Sequence, residues 1–549
     1  MRGLLARLAR TLWMVRVLVR AGMVPLVRPD RYVRMVGVVL RGVTATTGIA
    51  LAAARAPRRT ALVDERGSLT WAELDAGCDA FAVGLLALTG GEPRTVAVLA
   101  RNHRGFVHGL AGATRAGSDV LLLNTAFSGP QLRDVLVREQ AAMVVYDQEF
   151  QGVVDQACEG LDVAEVVAWV DDPATLGERT VLDDLVARHA GARPGRPARR
   201  GSVILLTSGT TGTPKGAKRS ADGGAPALAA MFERIPWRAQ EPVVVAAPMF
   251  HAWGFGQLAI AAATTCTIIT RRRFDPEATL RMVEEHGATG LAVVPVMLER
   301  IIDLPDEVLD RYPCRTLRFA TASGSRMRPE AVTAFMDRFG EVVCNSYNAT
   351  EAGLISTATP ADLRVAPDTA GRPVRGTDVV LLDDAGRPVP TGEVGRICVR
   401  SGSQFSGYTS GTTKEFHQDH MVSGDVGRFD ADGRLFVVGR DDDMIVSGGE
   451  NVYPLEVEKL LDAHPQVHET AVVGVEDEAF GQRLAAYVVL RPGAELDADG
   501  VRAHVKANLA GYKVPRDVVL LDELPRNATG KVMKRLLPTP GGAADLPGS

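Results

Sequence analysis

The sequence predicts a large α/β domain of mainly parallel sheets with flanking helices, followed by a small α+β C-terminal domain. The chain has 549 residues, which is too long for one ordinary hydrophobic core. Apolar runs of strand length alternate with helical patterns along most of it, and this alternation is typical of parallel strands joined by covering helices. Towards the C terminus the alternation gives way to a shorter mixture of strands and helices. We therefore expect at least two domains.

The composition is that of a globular protein. Hydrophobic residues make up 46% of the chain, charged residues 23%, and the net charge is −4. This balance gives no reason to expect a nucleic-acid partner. The scattered cysteines include no CxxC pair, so they predict reduced core residues of a cytoplasmic protein rather than a zinc site or a disulfide framework. They are Cys78, Cys158, Cys266, Cys314, Cys344 and Cys398.

Residues 1–59 form a basic N-terminal segment with twelve arginines and one acidic residue, Asp30. Winding residues 2–20 as a helix gathers seven apolar side chains in an arc of roughly 140° and leaves the arginines outside it. The seven are Leu4, Leu5, Leu8, Leu12, Val15, Leu18 and Val19. The pattern predicts a basic amphipathic helix.

Two environments suit that helix. Residues 1–30 could lie on an anionic membrane surface, which would make the protein peripheral on the inner face of the cell membrane. Alternatively, the helix packs on the protein's own core and leaves its arginines in solvent. A span is not expected, because the arginines cost about 8 kcal/mol of insertion free energy and the apolar residues return only about 5. Arginines also interrupt any signal-peptide pattern.

The folded body is predicted to begin near residue 60. Residues 60–63 and 69–74 predict a short hairpin that leads into a helix. Buried strands are predicted from apolar runs at residues 96–99, 120–123, 143–146 and 166–170, and helices at residues 106–116 and 130–139. A Pro/Gly/Arg linker at residues 190–200 then leads to the most informative stretch of the chain.

That stretch is an apolar strand, residues 202–206, followed by a loop with three glycines, five hydroxyl side chains and one lysine. Its residues are Thr207, Ser208, Gly209, Thr210, Thr211, Gly212, Thr213, Pro214, Lys215 and Gly216. Glycines let backbone N–H groups approach an anion, hydroxyls donate to phosphate oxygens, and the lysine adds a positive charge. The order of residues does not match a Walker loop, in which Ser or Thr follows the lysine. We interpret the loop as a polyphosphate site; a Ser/Gly-rich surface turn is the alternative.

The loop sequence TSGTTGTPKG resembles the phosphate loop of the adenylate-forming superfamily, which includes acyl-CoA synthetases, luciferases and peptide-synthetase adenylation domains. The resemblance extends over roughly residues 60 to 537 and implies a large domain at 60–439 and a mobile lid domain at 440–540. It also implies that the residues from Thr207 to Thr213, with Lys215, hold ATP. The last nine residues, 541–549, are expected to form a disordered tail.

Further motifs in the large domain match the family in order. The resemblance places His251 beside the carboxylate substrate, although a packed core histidine is the alternative. Trp253, Gly256 and Asn348 would line the acyl pocket; in the family a tryptophan at the position of Asn348 closes the pocket to two-carbon acids, so asparagine implies a more open one. Ser323, Gly324 and Ser325 resemble the adenine-side turn, usually Ser-Gly-Gly-Ala, and the sequence departs from it at Ser325 and Arg326. Asn345, Tyr347, Thr350 and Glu351 resemble the motif that contacts adenine, phosphate and Mg²⁺.

The remaining motifs lie towards the C terminus. The resemblance assigns ribose contacts to Asp425 and Arg440, the domain hinge to Asp442, and the CoA passage to Gly448 and Gly449. Lys531, in a Thr-Gly-Lys ending, would be the catalytic lysine. For Asp425 the alternative is an ordinary turn aspartate, and for Lys531 a solvated surface lysine.

The resemblance implies a two-step reaction with ATP, Mg²⁺ and CoA. The carboxylate attacks the α-phosphorus, pyrophosphate leaves, and CoA thiolate then displaces AMP from the acyl-adenylate. Lys531, Thr350, Glu351 and His251 are the expected catalytic residues. Rotation about Asp442 would let one site run both steps.

We expect a medium- to long-chain fatty acid–CoA ligase. The alternatives are a fatty acyl-AMP ligase that passes its product to a carrier protein, a synthetase for a sterol side chain or an aromatic acid, and a catalytically silent scaffold. The eighteen residues at 352–369 leave little room for the insertion typical of acyl-AMP ligases. The oligomeric state, a dimer included, stays open.

Overall fold

The computed structural model describes residues 2–23, 29–40, 42–207, 215–219, 224–383, 385–405, 407–409, 411–441, 443, 445–447, 450–477, 481–527 and 530–540. The chain divides into two compact units. The first comprises Met1–Pro367, Val374–Thr377 and Ser401–Lys414, and the second comprises Asp368–Pro373, Asp378–Arg400 and Glu415–Ser549. The domain limits suggested by the sequence stay predictions, and the tail at 541–549 lies outside the described residues.

The helices of the first unit are α1 Arg2–Arg20, α2 Pro29–Leu40, α3 Thr47–Arg55, α4 Trp71–Leu88, α5 Arg104–Arg115, α6 Gly129–Arg138, α7 Gln151–Cys158, α8 Leu182–Arg188, α9 Gly224–Arg234, α10 Ala252–Ala263, α11 Pro276–Glu285, α12 Pro295–Ile302, α13 Asp306–Leu309, α14 Pro329–Phe339 and α15 Pro360–Val365. Its strands are β1 Thr60–Asp64, β2 Gly67–Thr70, β3 Thr95–Leu99, β4 Val120–Leu122, β5 Ala141–Asp147, β6 Ala164–Trp169, β7 Thr180–Val181, β8 Val203–Thr207, β9 Lys215–Arg219, β10 Pro242–Val245, β11 Thr267–Ile269, β12 Gly290–Val293, β13 Phe319–Ala322, β14 Val343–Ala349 and β15 Gly353–Ala358.

The strands β16 Arg372–Pro373, β17 Thr377–Leu382, β18 Gly395–Ser401, β19 Phe416–His417, β20 His420–Phe429, β21 Leu435–Arg440, β22 Ile445–Ser447, β23 Glu450–Val452, β24 Val467–Asp477, β25 Gly481–Leu490 and β26 Asp517–Leu521 follow, with the helices α16 Pro454–Asp462 and α17 Ala498–Asn508. Strands β18, β20 and β21 pair antiparallel. In the C-terminal part β24 and β25 pair antiparallel, and β26 adds parallel to β25. The α/β fold with a smaller α+β C-terminal part is confirmed.

Two mainly parallel sheets form the first unit. One has the strand order β7-β6-β5-β3-β4-β8-β9, and the other contains β15-β14-β13-β12-β10-β11-β1-β2. In the second sheet β10, β12, β13 and β14 run parallel, so their carboxyl ends meet at one edge. That edge is where α/β proteins commonly place ligands, and it carries the predicted residues from His251 to Glu351.

Local capping explains where the structure departs from the predicted boundaries. The predicted strand at 69–74 ends at Thr70, because Thr70 and Glu73 form a capping box that starts α4 at Trp71. Helix α5 starts two residues before the predicted position 106, where the His103 side chain accepts a hydrogen bond from the Gly105 N–H. Histidine is not among the usual N-cap residues, so no residue pattern indicates that α5 begins there.

The predicted helix over residues 2–20 is present as α1, but it packs by an unexpected side. Val17 and Ala21 are buried, and the Trp13 Nε1 donates to Glu233 of α9 at 2.8 Å. The stripe Leu8, Leu12, Val15 and Val19 remains 46–62% exposed. These four residues of the apolar arc therefore do not pack on the core of this unit. Within the described ranges, none of the helices combines the length and the apolar character that a bilayer crossing requires.

The six cysteines are buried and free, as the sequence predicts. Burial also raises the pKa of several of these thiols; that of Cys344 rises to about 12. They therefore behave as apolar core side chains at neutral pH.

Candidate active site

The predicted phosphate loop is closed by a β-hairpin. Thr207 ends β8 and Lys215 begins β9, and the two residues are paired in antiparallel register. The loop between them, Ser208 to Pro214, lies outside the described residues, as do the side chains of Thr207 and Lys215. Gly216 follows directly, and a Cβ added there would lie 2.7 Å from the Thr409 Oγ1. Glycine is required at that position because the neighbouring segment approaches so closely.

Glu351 follows β14 at the carboxyl edge of the sheet. Its side chain is nearly buried, with the residue 9% exposed, and its Oε1 accepts a hydrogen bond of 2.6 Å from the Tyr408 hydroxyl. Among the described residues, no lysine or arginine forms an ion pair with this carboxylate. A buried anion with one hydrogen bond and no protein cation is poorly compensated. It is therefore suited to receive a cation from outside the protein.

The predicted adenine-side turn and the Asn345–Glu351 motif lie on neighbouring parallel strands. Asn345 is in register with Ala322, the last residue of β13, and the Asn348 Nδ2 donates to the Ser323 Oγ at 2.9 Å. Gly324 has φ +106°, which favours glycine, and no atom lies within 4 Å of an added Cβ. Ser323 is buried, whereas Ser325, Tyr347 and Thr350 are half-buried at the same edge. The structure thus brings these predicted residues together.

His251 stands at the start of α10, where burial lowers the pKa of its imidazole to about 4. The Nε2 atom is inaccessible and has no hydrogen-bond partner among the described residues, and the ring contacts Phe250 with centroids 4.4 Å apart. The imidazole is therefore neutral at pH 7. A neutral ring fits a position beside an apolar acyl group better than a charged one would.

Trp253 and Gly256 continue α10 past His251. The Trp253 Nε1 donates to the Val293 carbonyl oxygen at the end of β12, at 2.8 Å, which fixes α10 against the sheet edge. A Cβ added at Gly256 would meet no atom within 4 Å. There is accordingly open space beside the helix at Gly256, which is the position predicted to line an acyl pocket.

Asp425 and Arg440 come together in the second unit. They are paired in register on β20 and β21, and the Arg440 Nη1 lies 3.3 Å from the Asp425 Oδ1. Gly424 has φ +86°, and its carbonyl oxygen accepts from the Asp441 N–H at 3.0 Å. The two side chains predicted to contact ribose thus lie side by side on adjacent antiparallel strands.

The other predicted residues of the second unit are partly described. Asp442, Gly448 and Gly449 lie outside the described residues, although Ser447 and Glu450, which flank the two glycines, pair in an antiparallel hairpin. Lys531 is exposed, and its backbone N–H is held by the Asn527 Oδ1 at 2.9 Å. Gly530, with φ +78°, completes the turn that presents Lys531.

Comparison with known proteins identifies the family. The model of the AMP-binding enzyme family matches residues 49–409, and that of the AMP-binding enzyme C-terminal domain matches residues 456–531. The indoleacetate–CoA ligase of Aromatoleum aromaticum is 31% identical over 490 residues, covering 87% of this chain and 94% of the relative. The 2-succinylbenzoate–CoA ligase of Geobacillus kaustophilus is 32% identical over 492 residues, covering 88% and 95%.

Solved structures agree with this result. The ATP-bound MatB of Rhodopseudomonas palustris superposes with a TM-score of 0.78 at 26% identity, covering 90% of this chain and 98% of that chain. The o-succinylbenzoate CoA synthetase (MenE) of Bacillus subtilis, in complex with its acyl-adenylate intermediate, gives 0.76 at 25% identity, covering 90% and 99%. The chain belongs to the AMP-binding enzyme family. Within it, the protein is an AMP-forming acid–CoA ligase of the acyl-CoA synthetase branch, and it uses ATP, Mg²⁺ and CoA.

The chemistry of Glu351 in this acyl-CoA synthetase fits Mg²⁺. Magnesium is usually held by one or two carboxylates and by substrate phosphates rather than by a full protein cage. Across the described ranges there is no cluster of three or more His, Cys, Asp and Glu side chains that could hold a metal by itself. A single carboxylate without a protein cation is what such a shared site needs, and the bound metal would neutralise phosphate charge.

Two residues of the site escaped the sequence prediction. Asn102 holds the turn before His251, because its Oδ1 accepts from the Met249 N–H at 2.8 Å and its Nδ2 donates to the Ala247 carbonyl oxygen at 2.9 Å. Tyr408, which contacts Glu351, lies in a loop rich in Ser, Gly and Thr. Neither position carries a periodic or spacing signal, so only the tertiary structure reveals it.

Proposed function

We propose that this acyl-CoA synthetase activates a medium- to long-chain fatty acid, first to the acyl-adenylate and then to acyl-CoA, with release of pyrophosphate and AMP. The observation that carries the choice of acid is the exposed apolar stripe of α1, which suits an enzyme that works on a membrane surface. Open space at Gly256 and the moderate size of Asn348 support it, because each CH₂ buried in a pocket contributes about 0.8 kcal/mol.

The proposed roles of the site residues follow the geometry of each unit. In the first unit the loop from Thr207 to Lys215 holds the β- and γ-phosphates, Tyr347 stacks on adenine, and Thr350 donates to phosphate. In the second unit Asp425 and Arg440 bind ribose, and Lys531 stabilises the charge that develops during adenylation. Rotation about Asp442 would then bring Gly448 and Gly449 to the site for CoA.

The membrane part of the proposal rests on where the exposed apolar side chains lie. In the described residues, ten of the eighteen exposed large apolar side chains fall between Leu8 and Val43. On α1 they form a single stripe of Leu8, Leu12, Val15 and Val19, with exposed Arg16 and Arg20 at its flank. Apolar side chains beside arginines are the pattern of helices that lie in the plane of an anionic lipid surface.

The second helix extends this surface. No described residue of α2 is buried, and Val33, Val36 and Leu40 are 73%, 56% and 72% exposed. The buried Arg55 connects the two helices, since its Nη2 donates to the Gly22 carbonyl oxygen and its own carbonyl oxygen accepts from the Arg31 Nη1, both at 2.9 Å. A surface anchored in this way would present both helices to lipid on the inner face of the cell membrane.

Pyrophosphate release from Mg²⁺ and ATP, measured across acids of rising chain length with and without CoA, tests the proposal. We expect turnover that requires CoA and is fastest with long chains. A single burst of pyrophosphate that CoA does not relieve would instead indicate an acyl-AMP ligase. Lys531→Ala is expected to abolish adenylation and retain ATP binding, whereas Lys506→Ala, at an exposed lysine of α17, should change neither.

A ring-bearing acid is the second candidate, and Gln257 favours it. This side chain follows Gly256 on α10, is fully buried, and has no hydrogen-bond partner for either amide atom in the described part of the chain. A substrate with a second polar group could satisfy the amide, and the relatives include the indoleacetate–CoA ligase already named and a Mycobacterium tuberculosis ligase for a dioxo-octahydro-indenyl propanoate. Gln257→Leu should lower kcat/KM about tenfold for such an acid, as expected for a lost hydrogen bond. For a fatty acid the same change should be neutral or favourable.

A further inference from the structure

Residues 401–409 form a segment that contacts the chain at Glu351 and Ala352. Residue 406 lies outside the described part. The Ser401 Oγ donates to the Ala352 carbonyl oxygen at 2.7 Å, and the Phe405 N–H donates to the Glu351 carbonyl oxygen at 2.8 Å. The Tyr408 hydroxyl then reaches the Glu351 carboxylate. The segment therefore holds both the backbone and the side chain of the proposed magnesium ligand.

The other end of the 401–409 segment is attached to β9, the strand that follows the phosphate loop. Tyr408 forms an antiparallel bridge with Ala217, and the Thr409 N–H donates to the Gly216 carbonyl oxygen at 2.8 Å. The Thr409 Oγ1 also donates to the Glu139 Oε1 at 3.0 Å. The position of the phenol is thus fixed by the strand that leaves the phosphate loop.

The contact between Tyr408 and Glu351 has the geometry of a strong hydrogen bond. At 2.6 Å the O–H···O separation is in the range of hydrogen bonds to ionised oxygens. It engages Oε1 only, so Oε2 keeps its lone pairs for another partner. Phe405 packs edge-on against the Tyr408 ring with centroids 4.9 Å apart, which restricts the rotation of the phenol.

We propose that Tyr408 is a positioning residue that orients the Glu351 carboxylate towards Mg²⁺·ATP. The phenol holds Oε1, leaves Oε2 for the metal, and links the metal ligand to the strand after the phosphate loop. The position of the metal ligand is then linked, through the 401–409 segment and β9, to the loop that is proposed to hold the phosphates. This inference requires the metal role of Glu351 but does not depend on which acid the enzyme activates.

The test is the contribution of Mg²⁺ to ATP binding, measured by titration calorimetry on the full chain without any acid. ATP affinity is determined with and without Mg²⁺, and the ratio gives the effect of the metal. Tyr408→Phe keeps the ring and removes the hydroxyl, so it should lower this ratio about tenfold, as expected for a lost hydrogen bond to a charged group. ATP affinity without metal should stay unchanged.

Tyr312→Phe is the matched control, because the Tyr312 hydroxyl donates to the Glu277 Oε1 at 3.1 Å in the same unit and neither residue is among the predicted site residues. It should leave the ratio unchanged. Thermal unfolding of both variants separates a local effect from a loss of folding. In a Glu351→Gln background, Tyr408→Phe should have no further effect on the ratio, because the carboxylate through which it acts is gone.

Two results would overturn the proposal. One is a Tyr408→Phe variant that is as stable as the Tyr312→Phe variant and keeps the full effect of Mg²⁺. The other is a Glu351→Gln variant that keeps the full effect, which would remove the metal role on which Tyr408 depends. If Tyr408→Phe fails to fold, Tyr408→Leu also removes the donor, and a folded Tyr408→Leu variant that keeps the full effect of Mg²⁺ would equally reject the idea.

Discussion

Helices α1 and α4 have nearly equal lengths, but α4 buries most of its apolar side chains whereas α1 leaves a stripe of them exposed. In α4 the residues Trp71, Leu74, Phe81 and Leu85 are 0% exposed and pack inside the first unit. In α1 the stripe from Leu8 to Val19 stands in solvent, and a narrower side with Val17 attaches the helix to the protein. The same kind of side chain thus stabilises the fold in one helix and forms an outer surface in the other.

The close fit around α4 explains why its side chains are inside. Helix α5 approaches α4 at two glycines: a Cβ on Gly77 would lie 2.6 Å from the His108 Nε2, and one on Gly112 would lie 2.6 Å from the Phe81 ring. In an interior packed this closely, the loss of even one methylene group lowers the free energy of unfolding. In the described part of the chain no helix packs over the α1 stripe in this way. Its apolar side chains are therefore accessible for contact with another surface.

The largest expected effect is a difference in the free energy of unfolding between a substitution on α4 and a substitution on α1. Phe81→Ala should lower the free energy of unfolding by about 3–5 kcal/mol, because it removes a fully buried ring and leaves a cavity. Leu12→Ala should change it by less than about 0.5 kcal/mol, since the side chain is 62% exposed. Urea unfolding of both variants provides the comparison. A strongly destabilised Leu12→Ala variant would mean that the α1 stripe is part of the core.

Part of the pH dependence of stability should come from His108, which lies on α5 where this helix packs against Gly77 of α4. Burial first, and then the charges of Arg104, Arg115 and His103, lower the pKa of His108 to about 4. The unfolded chain therefore binds one more proton than the folded chain between about pH 6.5 and pH 4, and stability should fall as pH drops through this window, by up to about 1.4 kcal/mol per pH unit. Above about pH 6.5 His108 should have no effect on the slope.

His108→Gln tests this assignment, because glutamine keeps hydrogen-bonding capacity and does not titrate. The variant should show a flatter dependence of unfolding free energy on pH between pH 6.5 and pH 4. His286→Gln is the control, at a histidine in the loop after α11. An unchanged slope in His108→Gln, beside an intact fold at pH 7, would show that other groups cause the acid sensitivity.

Loss of vesicle binding should follow from changes on α1 that leave the fold intact. Replacing Leu8, Leu12, Val15 and Val19 by serine removes apolar contacts worth roughly 1 kcal/mol each at an interface. Binding to vesicles of phosphatidylcholine and phosphatidylglycerol should therefore fall by at least about a hundredfold, while unfolding free energy and turnover of a short soluble acid stay unchanged. A matched variant changes Leu88, Val137 and Val365 to serine, since these exposed apolar residues lie outside the N-terminal surface. Equal loss in both variants would contradict a specific surface.

The sequence could predict what depends on local order. The strand before the phosphate loop follows from an apolar run, and the helix at residues 2–20 follows from the helical period. It could not predict which side of α1 packs, because the helical period defines an apolar arc but not the surface that the arc contacts. In the described residues the attachment includes Trp13 and Val17 of α1 and Ala21 after it. The sequence also could not predict the hydrogen bond from Tyr408 to Glu351, which joins residues 57 positions apart, one in a loop and the other in the turn between β14 and β15.

The smallest expected effect concerns the arginines at the flank of the stripe. Arg16→Gln and Arg20→Gln should each weaken binding to phosphatidylglycerol vesicles by up to about fivefold, because one arginine near an anionic surface contributes at most about 1 kcal/mol. The effect should disappear above roughly 0.5 M salt, where screening is strong, whereas the serine variants of the apolar stripe stay defective. It should not change between pH 5 and pH 8, because arginine keeps its charge. Vesicle flotation at two salt concentrations checks this, and a salt-independent loss in Arg16→Gln would mean that the arginine acts by packing rather than by charge.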